Sequence, residues 1–266
     1  MPNDFTKNCA ALCHYAKTFF GFGSWKADYW LIGLEEFGCT EANYEFKNRY
    51  CTWKKMRKVE LVNLKTFFDG CKIPNTPDWC NQTWCVMHHL CERAGLQIGS
   101  LCEHNDRWGG TRNVRANNRR LALIEAMPFP TPKQTEWPYS KWKPFSFMKK
   151  SSKCEAKFFS ERLEKLENRF HRHCPKLVIF YGRCDKYEPF LGVKWKSVSI
   201  EIKKKFKFKF HWVQVNYPTS KRKSLICRIP HPSYLVRFGG GCTAIKNLAC
   251  KIKKLLGDRV AVRRGE

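Results

Sequence analysis

Two short stretches combine residue types that could carry out acid–base or electrostatic catalysis. In WLIGLEEFG, Glu35 and Glu36 follow an apolar run that stops at a glycine. In IPHPSYLVRFGGG, His231 and Ser233 stand between prolines and a run of three glycines. A carboxylate can stabilise a developing cation or orient water, and an imidazole can stabilise a developing anion. We therefore ask whether the fold brings these two stretches together.

The strands that precede the two stretches must position them. Four short apolar runs bounded by Gly or Pro are typical of strands buried on both faces of a parallel sheet, and they cover residues 28–33, 121–127, 176–182 and 224–229. Active sites in open parallel sheets lie beyond the carboxyl ends of the strands. Because the acids follow the first run and His231 follows the last, we expect a carboxylate and an imidazole in one cleft.

Helical patterns alternate with these runs, which predicts an α/β fold. Thr40 and Thr83 are predicted to cap helices, and the second of these helices ends at Gly95. Two later helices carry apolar residues on one face, namely Phe159, Leu163, Leu166 and Phe170 in the first and Ile245, Leu248, Ile252 and Leu255 in the second. Residues 197–215 alternate Lys with Phe and predict an edge hairpin, whose lysines either prevent aggregation or line a polyanion.

The charge of the chain indicates a polyanionic partner. Its 50 Lys and Arg against 23 Asp and Glu give a net charge of +27. Nucleic acid is favoured over membrane, because we find neither an apolar span, a signal-peptide pattern nor a dominant basic amphipathic helix. The 15 cysteines, without an export signal, predict a reducing, cytoplasmic location where thiols serve as small hydrophobic residues.

Two groups of cysteines could bind a metal. One is Cys9 with Cys13, and the other is the stretch CNQTWCVMHHLC, with Cys80, Cys85, His88, His89 and Cys91. The chain has no CxxC pair, so the usual spacing of zinc and iron–sulfur sites is missing. The second group is interpreted either as the start of a buried helix or as the core of a zinc-dependent regulator.

The two chemical stretches resemble the motifs of the uracil-DNA glycosylase superfamily. GLEEFG (residues 33–38) occupies the place of the first family motif, and HPSYLVRFGG (231–240) occupies the second. RHCPKLVIFYGR (172–183) resembles the third strand of the family. The resemblance implies a single domain over residues 1–266, a three-layer α/β/α sandwich with a short central parallel sheet. The basic hairpin and long loops would be insertions near 102–120, 132–153 and 193–216.

The family hydrolyses the bond between a base and deoxyribose in DNA, and the resemblance implies roles for the matching residues. Glu35 or Glu36 would stabilise the sugar cation and orient water, and the sequence does not decide between them. His231 would stabilise the departing base. Gly33, Leu34 and Phe37 would line the base pocket, with the Phe37 ring stacked on the extruded base.

The second motif implies contacts to DNA. Ser233 and nearby backbone amides would hold a phosphate. Tyr234, Leu235 and Arg237 would form the loop that enters the duplex when the nucleotide flips out. Further candidates for phosphate contacts are the basic residues of the two long insertions, Arg112, Arg115, Arg119, Arg120, Lys141, Lys143, Lys149 and Lys150.

The choice of base depends on Glu125. Uracil-reading members of the family place an asparagine in the stretch that corresponds to LIEAMPFPTP, and this chain has Glu125 instead. A carboxylate accepts from the cytosine N4 amine and repels uracil O4. If Glu125 faces the pocket, the substrate is a modified cytosine, such as glucosylated hydroxymethylcytosine of phage DNA, and the role is host defence. The strand register could instead turn Glu125 elsewhere.

Three alternatives remain open at the level of the sequence. The chain could be a uracil repair glycosylase, a nucleic-acid-binding protein without catalysis, or the zinc-dependent regulator. The cysteine spacing does not match the iron–sulfur members of the family, so no cofactor is expected. No lysine lies within the motifs, which predicts simple hydrolysis without a Schiff base. A monomer is favoured.

Overall fold

The computed structural model of the protein describes residues 9–34, 42–71, 82–98, 120–131, 137–141, 145–203, 206–217, 222–237 and 241–257. These residues form one mixed sheet with helices on both faces. The predicted α/β class with a central parallel sheet is confirmed. In the described part of the chain, no helix is both long enough and apolar enough to cross a membrane.

The elements are numbered along the chain. The strands are β1 (Gly21–Phe22), β2 (Tyr29–Gly33), β3 (Leu61–Val62), β4 (Leu121–Glu125), β5 (Leu177–Tyr181), β6 (Lys196–Lys203), β7 (Phe206–Asn216) and β8 (Lys223–Ile229). The α-helices are α1 (Cys9–Thr18), α2 (Ala42–Lys55), α3 (Leu64–Cys71), α4 (Gln82–Arg93), α5 (Ser151–His173), α6 (Pro232–Arg237) and α7 (Gly241–Leu256). Short 3-10 turns cover Pro138–Lys141, Ser146–Met148, Cys184–Tyr187 and Phe190–Gly192.

The sheet is built around four parallel strands. Its order is β3-β1-β4-β2-β5-β8-β7-β6, and β4, β2, β5 and β8 run parallel to one another. Every residue of β2, β4 and β5 is buried, which explains why their sequences are almost continuously apolar. Strands β1 and β3 have only two residues each, too few for a periodic pattern, and were not predicted.

The helices form two layers because side chains alternate across each strand. On β5, the Phe180 ring packs against Phe190, which in turn contacts Phe170 of α5. The next residue, Tyr181, points to the opposite face and meets His231, which contacts α4. The α5 layer and the α4 layer therefore enclose the sheet between them.

A buried arginine ties the α5 layer to the end of β4. Arg162 is fully buried and donates to the backbone carbonyl oxygens of Ala16, Glu125 and Ala126. Burial lowers the pKa of Arg162 to about 9, which leaves the guanidinium protonated at neutral pH. Its donors satisfy one carbonyl group in α1 and two at the point where β4 ends, and this fixes the backbone at Glu125 and at the residue that follows it.

The predicted basic hairpin is confirmed at the edge of the sheet, where β6 pairs antiparallel with β7. The Phe208 and Phe210 side chains are buried, and Lys207 and Lys209 on the opposite face are exposed. Elsewhere, the helix predicted around Phe159 covers Ser151–His173, and α4 begins at Gln82, so Thr83 lies inside its first turn and not before it.

Candidate active site

A row of three residues crosses the carboxyl ends of β4, β2 and β5. Gly33 lies opposite Glu125, and the pairing of Ile32 with Phe180 places Tyr181 on the other side of the glycine. A Cβ built on Gly33 would lie 2.7 Å from Tyr181 Oη and 2.8 Å from Glu125 Oε2. The Glu125 and Tyr181 side chains therefore extend over Gly33 from the two neighbouring strands, and their oxygen atoms approach the same point.

His231 closes the other end of this row. It follows β8, and its ring centroid lies 6.2 Å from that of Tyr181 at an interplanar angle of 66°. Its Nε2 is 3.4 Å from Thr83 Oγ1 in the first turn of α4. Gly182, with φ of 98°, lets the chain turn away after β5, and a Cβ there would lie 3.8 Å from His231 Cδ2.

The strand order places this group at a switch in topology. Following the chain, β4 is added on one side of β2, and β5 and then β8 are added on the other. In open α/β sheets, ligands bind outside the carboxyl ends of the strands at such a reversal, here between β2 and β5. Gly33 and Tyr181 end these two strands, so the polar group occupies the place where this architecture forms a crevice.

The polar group is largely buried, and the amino end of a helix approaches it at one side. Glu125 and Tyr181 are only 3% and 5% exposed, and the His231 side chain is half-buried. Charge interactions are stronger in such a setting than in water. The first turn of α4 approaches His231 through Thr83, and the amino end of a helix favours negative charge. The geometry suits a ligand group that carries or develops negative charge beside His231.

The structure brings together some of the predicted site residues. Gly33, Glu125 and His231 meet at one edge, and of the two orientations left open for Glu125, the structure has the one toward Gly33. Leu34 is buried, and its carbonyl accepts from the Met127 amide at 2.6 Å. The predicted residues Glu35, Glu36 and Phe37 lie outside the described residues.

The predicted duplex-entering loop has to be corrected. Residues 234, 235 and 237 belong to the helix α6. The Leu235 side chain is fully buried and packs in the core, so it is not placed to enter a duplex, whereas Tyr234 is 44% exposed. Pro232 is the first residue of this helix, a position that proline favours. The sequence therefore did contain a signal for a helix where a loop was predicted. Of Ser233 and Arg237, the backbone is described but the side chains are not.

The predicted phosphate contacts divide into three groups. Arg120 precedes β4 and is exposed, and it therefore lies at the amino edge of the sheet, at the other end of the strands from His231. Its guanidinium donates to the backbone and side-chain oxygens of Gln97. Lys141, Lys149 and Lys150 follow β4 and are exposed. The remaining candidates, Arg112, Arg115, Arg119 and Lys143, lie outside the described residues.

The predicted metal groups find little support. Among the described residues, no three His, Cys, Asp or Glu side chains are placed to hold a metal ion. His88 is buried and His89 is exposed, because adjacent positions on a helix point in different directions. Burial raises the pKa of the Cys91 thiol to about 12, which disfavours the thiolate that metals require. Cys9 Sγ lies 3.9 Å from Cys13 Sγ at the start of α1.

Sequence reasoning missed two members of the site. Tyr181 ends an apolar run just before a glycine. Its hydroxyl lies at the carboxyl end of a predicted parallel strand, and this position is the signal that could have placed Tyr181 among the site residues. Thr83 was read only as a helix cap, because nothing in the sequence links it to His231, which lies 148 positions away. No model of a known protein family and no curated protein matches the sequence.

Proposed function

We propose that the protein is a DNA glycosylase, which extrudes a non-standard base from DNA and hydrolyses its N-glycosidic bond. The observation that carries the proposal is the convergence of His231 with the row Glu125–Gly33–Tyr181 at the carboxyl edge of the parallel sheet. The motifs around Gly33 and His231 and the net charge of +27 support a DNA substrate.

The reaction needs two kinds of stabilisation. The bond between C1′ and the base nitrogen breaks, the base leaves with the electron pair, and water supplies hydroxide to C1′ and a proton to the base. His231, beside the first turn of α4, would stabilise the negative charge on the leaving base. Glu35 or Glu36 would stabilise the positive charge on the sugar and orient the water.

We further propose that the base is a modified cytosine. A buried carboxylate at Glu125 would accept from the N4 amine of cytosine and repel O4 of uracil. The Tyr181 hydroxyl, which approaches the same point, can both donate and accept. Modified cytosines of phage DNA, including the glucosylated hydroxymethyl form, are the substrates we favour, with host defence as the role.

The test is base release measured by mass spectrometry. The DNA panel contains uracil, hydroxymethylcytosine and glucosylated hydroxymethylcytosine, and His231→Ala, Glu35→Ala and Glu36→Ala run beside the wild-type protein. We expect release of a cytosine derivative that is lost in His231→Ala and in one of the two acid variants. Release that persists in all three variants would contradict the proposed chemistry.

A separate variant tests the choice of base. Glu125→Gln keeps the size of the side chain but adds an amide donor, which can face uracil O4. We expect release of the cytosine derivative to fall by more than tenfold, because a good bidentate pair is worth ~1–3 kcal/mol of discrimination. Uracil as the only base released by the wild-type protein would refute the modified-cytosine assignment and leave the glycosylase proposal standing.

The high charge also favours a second candidate, a nucleic-acid-binding protein that lacks catalysis. Tight, salt-sensitive DNA binding without release of any base, unchanged in His231→Ala, would select it.

We place either activity in the cytoplasm, because cysteines with described side chains, such as Cys51, Cys91 and Cys227, are free thiols, as in a reducing compartment.

A further inference from the structure

The basic hairpin extends past the edge of the sheet at which His231 lies. His211 of β7 pairs with Arg228 of β8, and β8 ends one residue later, at Ile229. Residues 206–209 of β7 and their partners on β6 therefore project beyond the carboxyl end of β8. At about 3.3 Å per residue, the projection measures roughly 13 Å. The hairpin overhangs the edge that carries the candidate active site.

The overhanging part is held in place by its apolar face. Ile200 and Phe208 pair across the two strands and are 6% and 7% exposed. The helix α7 covers this side, and Asn247 of α7 donates to the Glu201 carbonyl oxygen at 3.3 Å. The projection is thus packed against the body of the protein on one face.

The other face carries the alternate residues and is open to solvent. Ser199, Lys207 and Lys209 are exposed there, and His211 is partly exposed. Lys209 lies opposite Ser199, and Lys207 lies opposite the exposed Glu201. We call the face formed by Ser199, Lys207, Lys209 and His211 the hairpin shelf. It has more basic than acidic side chains.

The same face continues onto the body of the sheet beside β8. Arg228 pairs with His211 and with Phe180 of β5, so the shelf lies on the α5 face of the sheet, opposite to the face on which Tyr181 meets His231. The guanidinium carbon of Arg228 lies 4.2 Å from the centroid of the Trp195 ring. Basic side chains next to an aromatic ring are the combination that single-stranded nucleic acid binds. Of the described residues, the large apolar side chains that are most exposed are Val59, Val198 and Tyr234, and none of them belongs to the shelf. A lipid surface would require such residues.

We propose that the hairpin shelf binds the phosphate backbone of nucleic acid at the carboxyl edge of the sheet, on the face opposite to that of the candidate active site. A role of the shelf in holding DNA whose base is extruded rests on the proposed glycosylase function, whereas binding itself needs no catalysis. Charge complementarity carries the assignment, because two lysines at alternate positions on a fixed strand present two ammonium groups to one polyanion.

Paired charge variants test the shelf. Lys207→Gln/Lys209→Gln removes two charges from it, and Lys26→Gln/Lys223→Gln removes two from exposed positions at the opposite, amino edge. The dissociation constant for an unmodified single- and double-stranded oligonucleotide is measured between 50 and 200 mM salt, about the range over which phosphate contacts are resolved. Thermal unfolding of each variant checks that the fold is retained.

The expected result is specific to the shelf. Lys207→Gln/Lys209→Gln should weaken binding about tenfold or more at low salt and reduce the salt slope by about two, at roughly 0.9 per lost phosphate contact. Lys26→Gln/Lys223→Gln should change binding less than about twofold. Lys207→Arg/Lys209→Arg should retain affinity, and Glu201→Gln should tighten binding because it removes the carboxylate that faces Lys207.

Other results would overturn the proposal. Equal losses in the two Gln pairs would mean that binding follows total charge, and a loss of binding to anionic lipid vesicles without a loss for DNA would mean a membrane surface. The glycosylase proposal can fail separately. If no DNA releases a base but Lys207→Gln/Lys209→Gln still loses affinity, the binding proposal for the shelf stands. If that variant releases base with unchanged DNA affinity and salt slope, the binding proposal for the shelf is refuted.

Discussion

At the scale of single residues, the candidate site depends on the absence of a Cβ atom at Gly33. Gly33 does not need its flexibility here, because its φ is not positive. It is required by space, since any Cβ would lie within 2.8 Å of Glu125 Oε2 and of Tyr181 Oη. A Cβ essentially never approaches another atom this closely, so a side chain at position 33 would push the ends of Glu125 and Tyr181 apart.

We predict that Gly33→Ala separates Glu125 from Tyr181. The added methyl group should lower stability by about 1–3 kcal/mol through overpacking and lower base release by about a hundredfold through misplacement of the two groups. Gly95→Ala is the control, because Gly95 has φ of 78° with open space around it. That variant should lose stability through its backbone and keep its activity, and equal loss of activity in both variants would contradict the prediction.

We predict a smaller effect for the contact between Thr83 and His231. Thr83→Val keeps the shape of the side chain but removes the hydroxyl that lies 3.4 Å from His231 Nε2. Base release should fall about fivefold, as expected for loss of one hydrogen bond worth about 1 kcal/mol, and DNA affinity should not change. Thr83→Ser retains the hydroxyl and should restore release. A variant that weakens DNA binding as much as release would exclude this positioning role.

At the scale of elements, the end of β4 is held by a helix that begins far from it in sequence. Arg162 of α5 places its guanidinium on the carbonyl groups of Glu125 and Ala126 and 4.0 Å from the Phe20 ring centroid. Burial of a charge is tolerated when every donor finds an acceptor. The same contacts that stabilise the packing of α5 also fix the backbone of Glu125.

We predict that Arg162→Met is strongly destabilising. Methionine fills part of the volume but leaves three buried carbonyl groups without their donor, and this should lower the free energy of unfolding by about 3–5 kcal/mol. Urea denaturation at neutral pH measures it. Arg172→Met, on the exposed side of the same helix, should change stability by less than about 0.5 kcal/mol. Similar shifts of the two midpoints would show that the buried contacts matter little.

At the scale of the whole molecule, the excess of positive charge does not by itself select a binding face. Exposed lysines lie at the amino edge of the sheet, as at Lys26 and Lys223, and at the carboxyl edge, as at Lys149 and Lys150. Within the described part of the chain, the overhang of the hairpin past β8 distinguishes one edge from the other. The cysteines with described side chains lie partly in the core and partly at the surface.

We predict that the thiols react according to burial. The thiolate is the nucleophile that attacks iodoacetamide and displaces iodide, so the exposed Cys9, Cys51 and Cys250 should be labelled in the native protein at mildly alkaline pH. Cys91 and Cys227 should be labelled only after denaturation, since burial raises the pKa of both thiols. Peptide mass spectrometry with and without denaturant measures this. Labelling of Cys91 as fast as that of Cys51 would mean that α4 opens in the native state.

The sequence alone determined the local elements and the edge of the sheet at which the candidate site lies. Continuous apolar runs predicted β2, β4, β5 and β8, because strands buried on both faces have no polar positions. The alternation of Lys and Phe predicted the hairpin and the faces of its residues. The placement of His231 at the carboxyl edge followed from the direction of parallel strands, which the chain order already implies.

Tertiary structure decided which side chains meet. The approach of Glu125 and Tyr181 over Gly33 depends on the register of three strands, and a shift of one residue would turn each of them to the other face. The contact of Thr83 with His231 joins residues far apart in the chain, and the burial of Leu235 follows from helix packing. Such contacts depend on the positions of whole elements relative to one another, which local sequence patterns do not encode.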